Sequence, residues 1–234
     1  MANQTQEDNS MCFNAHTSLL ALVVSLVGAA CVWRRGGRTD RFVAVLCVVI
    51  GLMQALELAM WLDQGCGDLN KIATALVPVV LMAQAVWLIG GSYLCGVSRL
   101  PPRLLQVWLL VTTGLLSADI GAHYTTGCST AHPESGHLVW GGGISVIRPW
   151  FGVPYFAAHA VMLTLKDGAY GQAMFVALYA TKWFAIAKGR TAWASGTWKS
   201  VWCIMASALM PAVALVTDAA AHAHPSLQKQ GDNK

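Results

Sequence analysis

From Phe42 to Leu62 the chain crosses a membrane thickness of residues with one carboxylate, Glu57. An α-helix needs about 20 consecutive apolar residues to span the hydrocarbon core, so this run predicts a transmembrane helix. A carboxylate inside such a helix is costly unless it faces protein or water. On a helix Gln54, Glu57 and Trp61 share one face, at i, i+3 and i+7. Val45, Val48, Val49 and Leu52 make the opposite, hydrocarbon face. Two readings of Glu57 follow: an intramembrane site for a ligand, proton or cation, or a structural carboxylate that ties helices together.

The rest of the sequence repeats the pattern. Hydrophobic residues make up 56% of the 234-residue chain and charged residues 11%, against about 25% charged in a soluble domain. The ten tryptophans suit anchoring at membrane interfaces. The net charge of +4 does not indicate nucleic-acid binding, because the basic residues sit at helix ends and not in a patch. No basic segment precedes the first apolar run, so that run is expected to act as its own insertion signal. Met11 is an alternative start.

Seven spans are expected: His16–Trp33, Phe42–Leu62, Ile72–Leu94 with a kink at Pro78 and Gln84 near its middle, Leu104–Tyr124, Trp150–Leu165, Ala169–Ala187 and Lys199–Ala221. The first loop carries Arg34, Arg35, Arg38 and Arg41 and the second is acidic. The positive-inside rule then places the N-terminus outside. Lys188, Arg190 and Lys199 oppose this order, but early loops usually set orientation. The fold class is thus all-α, a polytopic transmembrane bundle of seven helices occupying 12–224. Polar tails at 1–11 and 225–234 flank it. The long segment 125–149, rich in Gly, His and Trp, reads as an external lid.

Several short patterns recur in order along the chain. They are Met11-Cys12-Phe13-Asn14-Ala15 with Ser18, Gln54-x-x-Glu57-x-x-x-Trp61, Cys66 with Asn70, Cys128 followed by Gly136-His137-Leu138-x-Trp140, and Trp202-Cys203. Together they resemble a family of small polytopic membrane proteins that open with Met-Cys-Phe-Ser-Ala. The resemblance runs from Met11 into the seventh span. It implies topology and site positions, and no activity. Asn14 stands where the family has Ser, and ten residues precede Met11.

In this topology Cys12, Glu57, Trp61, Cys66, Cys128, His137 and Trp140 collect on the outer side, as a pocket roofed by 125–149 would require. Cys66 and Cys128 are the cysteines of the outer loops and are expected to pair in an oxidising compartment, with free thiols or metal ligation as the alternatives. Cys31, Cys47, Cys95 and Cys203 read as packing residues. Cys12, Glu57 and His137 could together hold zinc, although they lack ligand spacing, so no metal is the first expectation. Asp119 and His123 lie at i, i+4 on the fourth helix and either bind or simply bond each other. Asp218 and His222 read as a solvated helix end, and His159 as a hydrogen-bonded packing residue. Lys182 is the intramembrane lysine. Retinal is not expected, because retinal proteins carry their lysine on the last helix. Lys182 is expected to snorkel or to pair with a carboxylate.

The leading functional expectation is a pocket around Cys12, Gln54, Glu57, Trp61, Asp119, His123, His137 and Trp140 that binds or transports an ion, proton or small polar solute. The alternatives are a membrane-embedded metal-dependent hydrolase at the outer face and a non-catalytic membrane subunit. A homo-oligomer or membrane partner could use the small-residue surface of Ala83, Ala85, Gly90 and Gly91.

Overall fold

The computed structural model describes residues 14–123, 127–132, 138–141, 149–188 and 198–223, with backbone only at 123, 149–150, 184–188, 198–201 and 218–223. The described residues form seven helices: α1 Ala15–Arg34, α2 Arg38–Leu62, α3 Asp68–Leu94, α4 Pro102–His123, α5 Pro149–His159, α6 Gly168–Lys188 and α7 Trp198–Ala223. A short antiparallel hairpin, β1 Thr130–Ala131 with β2 Leu138–Val139, lies between α4 and α5. Four helices, Ala15–Arg34, Arg38–Leu62, Asp68–Leu94 and Pro102–Ala122, are long and apolar enough to cross a membrane. Phe151–Thr164 and Trp202–Thr217 are shorter apolar stretches.

Local chemistry sets the helix ends. Asn14 caps α1, its side-chain oxygen accepting from the Thr17 amide at 3.1 Å. Asn is among the strongest N-caps. Gly36, at φ +81°, stops the helix in the left-handed conformation that glycine adopts without strain. The Asp63 carboxylate accepts from the Gly67 and Asn70 amides, each at 3.0 Å, and so caps the start of α3.

α3 is helical through Pro78, and a π-helical segment follows at Trp87–Gly91. Gly90 and Gly91 are buried there. A Cβ on Gly90 would meet Leu109 of α4, and one on Gly91 would meet the ring of Trp87. The small-residue surface expected to serve a partner is therefore filled from within the chain at these two positions. The fifth helix also differs from expectation: it is α-helical to His159 and then tightens into a 3-10 segment, Ala160–Thr164.

α2 is the central helix and packs on α1, α3 and α7; α7 also contacts α1 and α6, and α5 bridges α3 and α4. Close helix approach depends on two glycines. A Cβ on Gly28 would land on the Pro211 ring of α7, and one on Gly51 would touch Ser25. Ser25 donates to the Cys47 carbonyl at 2.7 Å, which locks α1 on α2. The two ends of the bundle differ. At one end Arg35 donates to the Ala214 carbonyl at 3.0 Å and pairs with Asp40 at 2.6 Å. There too the Arg99 amide donates to Thr164 and the Lys166 amide to Val97, clasping the α3–α4 and α5–α6 turns together. The other end carries the disulfide and the hairpin.

Candidate functional site

Gln54, Glu57 and Met60 project from α2 into the bundle and are buried, whereas Val45, Val48, Val49 and Leu52 face outward or lie half-buried. The expected division of α2 into a polar inner face and a hydrocarbon outer face is what the packing shows. Glu57 is fully buried. One carboxylate oxygen accepts from Gln54 Nε2 at 3.2 Å and the other from the indole N–H of Trp140 at 3.0 Å. These bonds offset part of the cost of burying the carboxyl group. The Trp140 bond joins residues 83 positions apart, so it couples α2 directly to the segment between α4 and α5.

That segment is held in place by more than one bond. Cys66 and Cys128 form a disulfide with Cα atoms 5.5 Å apart, as their shared placement predicts. Beside it lies a knot centred on Asn70, which is fully buried. Its amide donates to the carbonyls of Ser129 at 2.8 Å, Asp63 at 2.9 Å and Met60 at 3.2 Å. Its side-chain oxygen accepts from the Ser129 amide at 2.8 Å and from Thr74 Oγ at 3.1 Å. Ser129 Oγ sits 2.8 Å from Thr74 Oγ and accepts from the Gly141 amide at 3.0 Å. Gly141 presses so closely on Cys128 that a Cβ would strike its carbonyl. Leu138 is fully buried below. The hairpin is thus fastened at Cys128, Ser129 and Gly141, and Trp140, between Leu138 and Gly141, reaches Glu57.

On α1 and α2 three polar atoms are buried without a hydrogen-bond partner among the described residues: Ser18 Oγ, Gln54 Oε1 and Trp61 Nε1. Helix register places Ser18 near Gln54. Ser25 lies against Cys47 and Gly51. Two turns back along α1 lead to Ser18, and two turns on along antiparallel α2 lead to Gln54 and Leu58. Cys203 of α7 is buried. Asp119 is buried on α4. Cys12 and His137 lie outside the described residues, as does the side chain of His123. Among the described residues no group of three His, Cys, Asp or Glu side chains is arranged to hold a metal.

A second polar group lies deeper. Tyr155, fully buried on α5, donates to Gln84 of α3 at 2.6 Å, and His159 Nδ1 is 2.9 Å from the Tyr155 carbonyl. Tyr155, Phe156 and His159 pack edge-on or tilted against Trp202 of α7, whose indole donates to the Leu178 carbonyl at 3.3 Å. His159 is therefore the bonded packing residue expected of it. Lys182 is half-buried, and its ammonium lies over the Phe156 ring, 3.5 Å from the centroid; among the described residues no carboxylate bridges to it. A cation over an aromatic face gains about 0.5–2 kcal/mol, more when desolvated. The Asn70 knot was not foreseen beyond the spacing of Asn70 from Cys66.

Comparison with protein-family models, with curated proteins and with solved structures finds no match.

Proposed function

We propose that this chain is a multi-pass integral membrane protein, a seven-helix transmembrane bundle with its N-terminus outside. In this reading an outward-facing polar pocket around Glu57 binds and transports an ion, proton or small polar solute. The observation that carries it is the contact between Glu57 and Trp140. A buried carboxylate needs donors, and a helix tie could take them from a neighbouring helix. Here one donor comes from a hairpin segment that a disulfide and the Asn70 knot fasten over the end of the bundle. In this reading the 125–149 segment acts as a lid, and its Trp140 bond to Glu57 is one that a solute could exchange for its own. Exposed apolar side chains on α1 and α4, among them Leu20, Val27, Val107 and Leu110, supply the lipid-facing surface this reading requires.

Reconstitution tests it. Proteoliposomes are assayed for Na⁺, K⁺, H⁺ and glycerol flux, with the disulfide intact and after reduction. At least one flux is expected to exceed that of protein-free vesicles and to change when reduction loosens the lid. Rates equal to protein-free vesicles in both states contradict transport.

A further inference from the structure

Burying a polar atom without a partner costs about 1–3 kcal/mol, and native folds rarely do it without a reason. Ser18 Oγ, Gln54 Oε1 and Trp61 Nε1 are three such atoms. Ser18 and Gln54 are completely buried. Gln54 and Trp61 lie on the Glu57 face of α2, and the α1–α2 register brings Ser18 to the level of Gln54. Their hydrogen-bonding characters differ. Gln54 Oε1 can only accept, Trp61 Nε1 can only donate, and a serine hydroxyl does both.

This set discriminates among ligands. A bare cation would satisfy Gln54 Oε1 and Ser18 Oγ but leave the Trp61 N–H unbonded and pointing its positive end at the ion. An anion would satisfy Trp61 and meet the Glu57 carboxylate and the Gln54 carbonyl. A proton needs none of the three. A molecule with a donor and an acceptor satisfies all of them: its donor goes to Gln54 Oε1, its acceptor to Trp61 Nε1, and Ser18 completes either end. We infer that the pocket beside Glu57 takes a small polar organic solute carrying both a hydrogen-bond donor and an acceptor, such as an amide, an amino alcohol or a polyol. This inference rests on the transport reading above and narrows its substrate class.

The substitutions Trp61→Phe and Ser18→Ala test it because their structural and functional effects can be told apart. Each removes a buried atom without a hydrogen-bond partner among the described residues, so neither costs the fold a hydrogen bond, and the midpoint is expected to move by no more than the packing lost with the smaller side chain. Each should nevertheless weaken solute handling about tenfold, the loss of one hydrogen bond to a bound molecule. Proteoliposome swelling is followed with acetamide, ethanolamine and glycerol, in parallel with Na⁺, K⁺ and H⁺ flux. The expected result is Glu57-dependent entry of at least one organic solute, slowed about tenfold in both variants with little change in stability. Glu57-dependent ion or proton flux that both variants leave intact, with no organic solute entering, overturns this inference and leaves the transport reading standing. Absence of every flux overturns both. Swelling by water alone, without solute entry, also overturns the inference. So does a marked loss of stability in both variants with unchanged solute entry, which would make the three atoms structural.

Discussion

Asn70 shows how much a single side chain can hold. Three carbonyls accept from its amide and two donors approach its oxygen. Truncation would strand several buried groups at once. Asn70→Ala is expected to cost on the order of 3 kcal/mol or more, and thermal melting in detergent measures it. Asn70→Asp keeps the acceptor but turns every donated bond into a repulsion, so it should cost at least as much. Gly141 is the other residue of this kind. Gly141→Ala drives a methyl into the Cys128 carbonyl, and the least costly response is to shift the strand that carries Trp140. A red shift or quenching change in the Trp140 fluorescence, read against a Trp140→Phe control, reports that shift; an unchanged spectrum would mean the hairpin absorbs the methyl elsewhere. The reach of Asn70 was not legible in the sequence, because an asparagine that bonds backbone carbonyls leaves no periodicity and no charge pattern. Glu57 was legible for the opposite reason: one carboxylate in an apolar run stands out against everything around it.

At the scale of elements, the helices were easier to read than their interruptions. Apolar runs between charged turns fix where helices lie, and all seven appear close to the expected limits. The π-helical turn at Trp87–Gly91 and the 3-10 end of α5 were not readable, since both arise from tertiary packing. The Lys182 contact likewise depends on where Phe156 falls on the neighbouring helix. Pairing of Cys66 with Cys128 followed from their common placement, and the structure joins them across 62 residues. A loop of that length is worth about 4 kcal/mol in the chain-entropy model. The double substitution Cys66→Ser/Cys128→Ser should therefore lower stability by up to that amount. The Asn70 knot should still retain the hairpin, so chymotrypsin cleavage after Leu138 and Trp140 should accelerate only modestly. Cleavage as fast as in an unfolded chain would show that the disulfide alone holds it. The α1–α7 contact is a tight packing constraint: Gly28→Val collides with Pro211 and should cost about 1–3 kcal/mol or more, as overpacking at a helix crossing does.

For the molecule as a whole, the two ends differ in kind. Arg34, Arg38, Arg41, Arg99, Arg103 and Lys166 are exposed at the end where α1 meets α2, and the disulfide and hairpin close the other. In the proposed orientation, which follows the positive-inside rule, the basic end faces the cytoplasm. Single cysteines placed at Asn3 and at Gly36, in a background where they can be distinguished, should therefore label from opposite sides of the membrane. Labelling of both from one side would contradict the orientation. The orientation matters because it decides which compartment the Glu57 pocket faces. The central claim is that Glu57 is a working group and not a helix tie, and the substitution Glu57→Gln separates the two. Glutamine keeps the shape of the side chain and can still accept from Trp140, but it cannot carry charge. An interhelical polar contact contributes on average only about 0.6 kcal/mol in a membrane bundle, so as a tie glutamine should serve almost as well. The decisive measurement is flux through proteoliposomes of the Glu57→Gln protein, reconstituted at matched density and shown by thermal melting to be folded. The account predicts flux abolished with the melting midpoint nearly unchanged; wild-type flux in the folded Gln variant would contradict it.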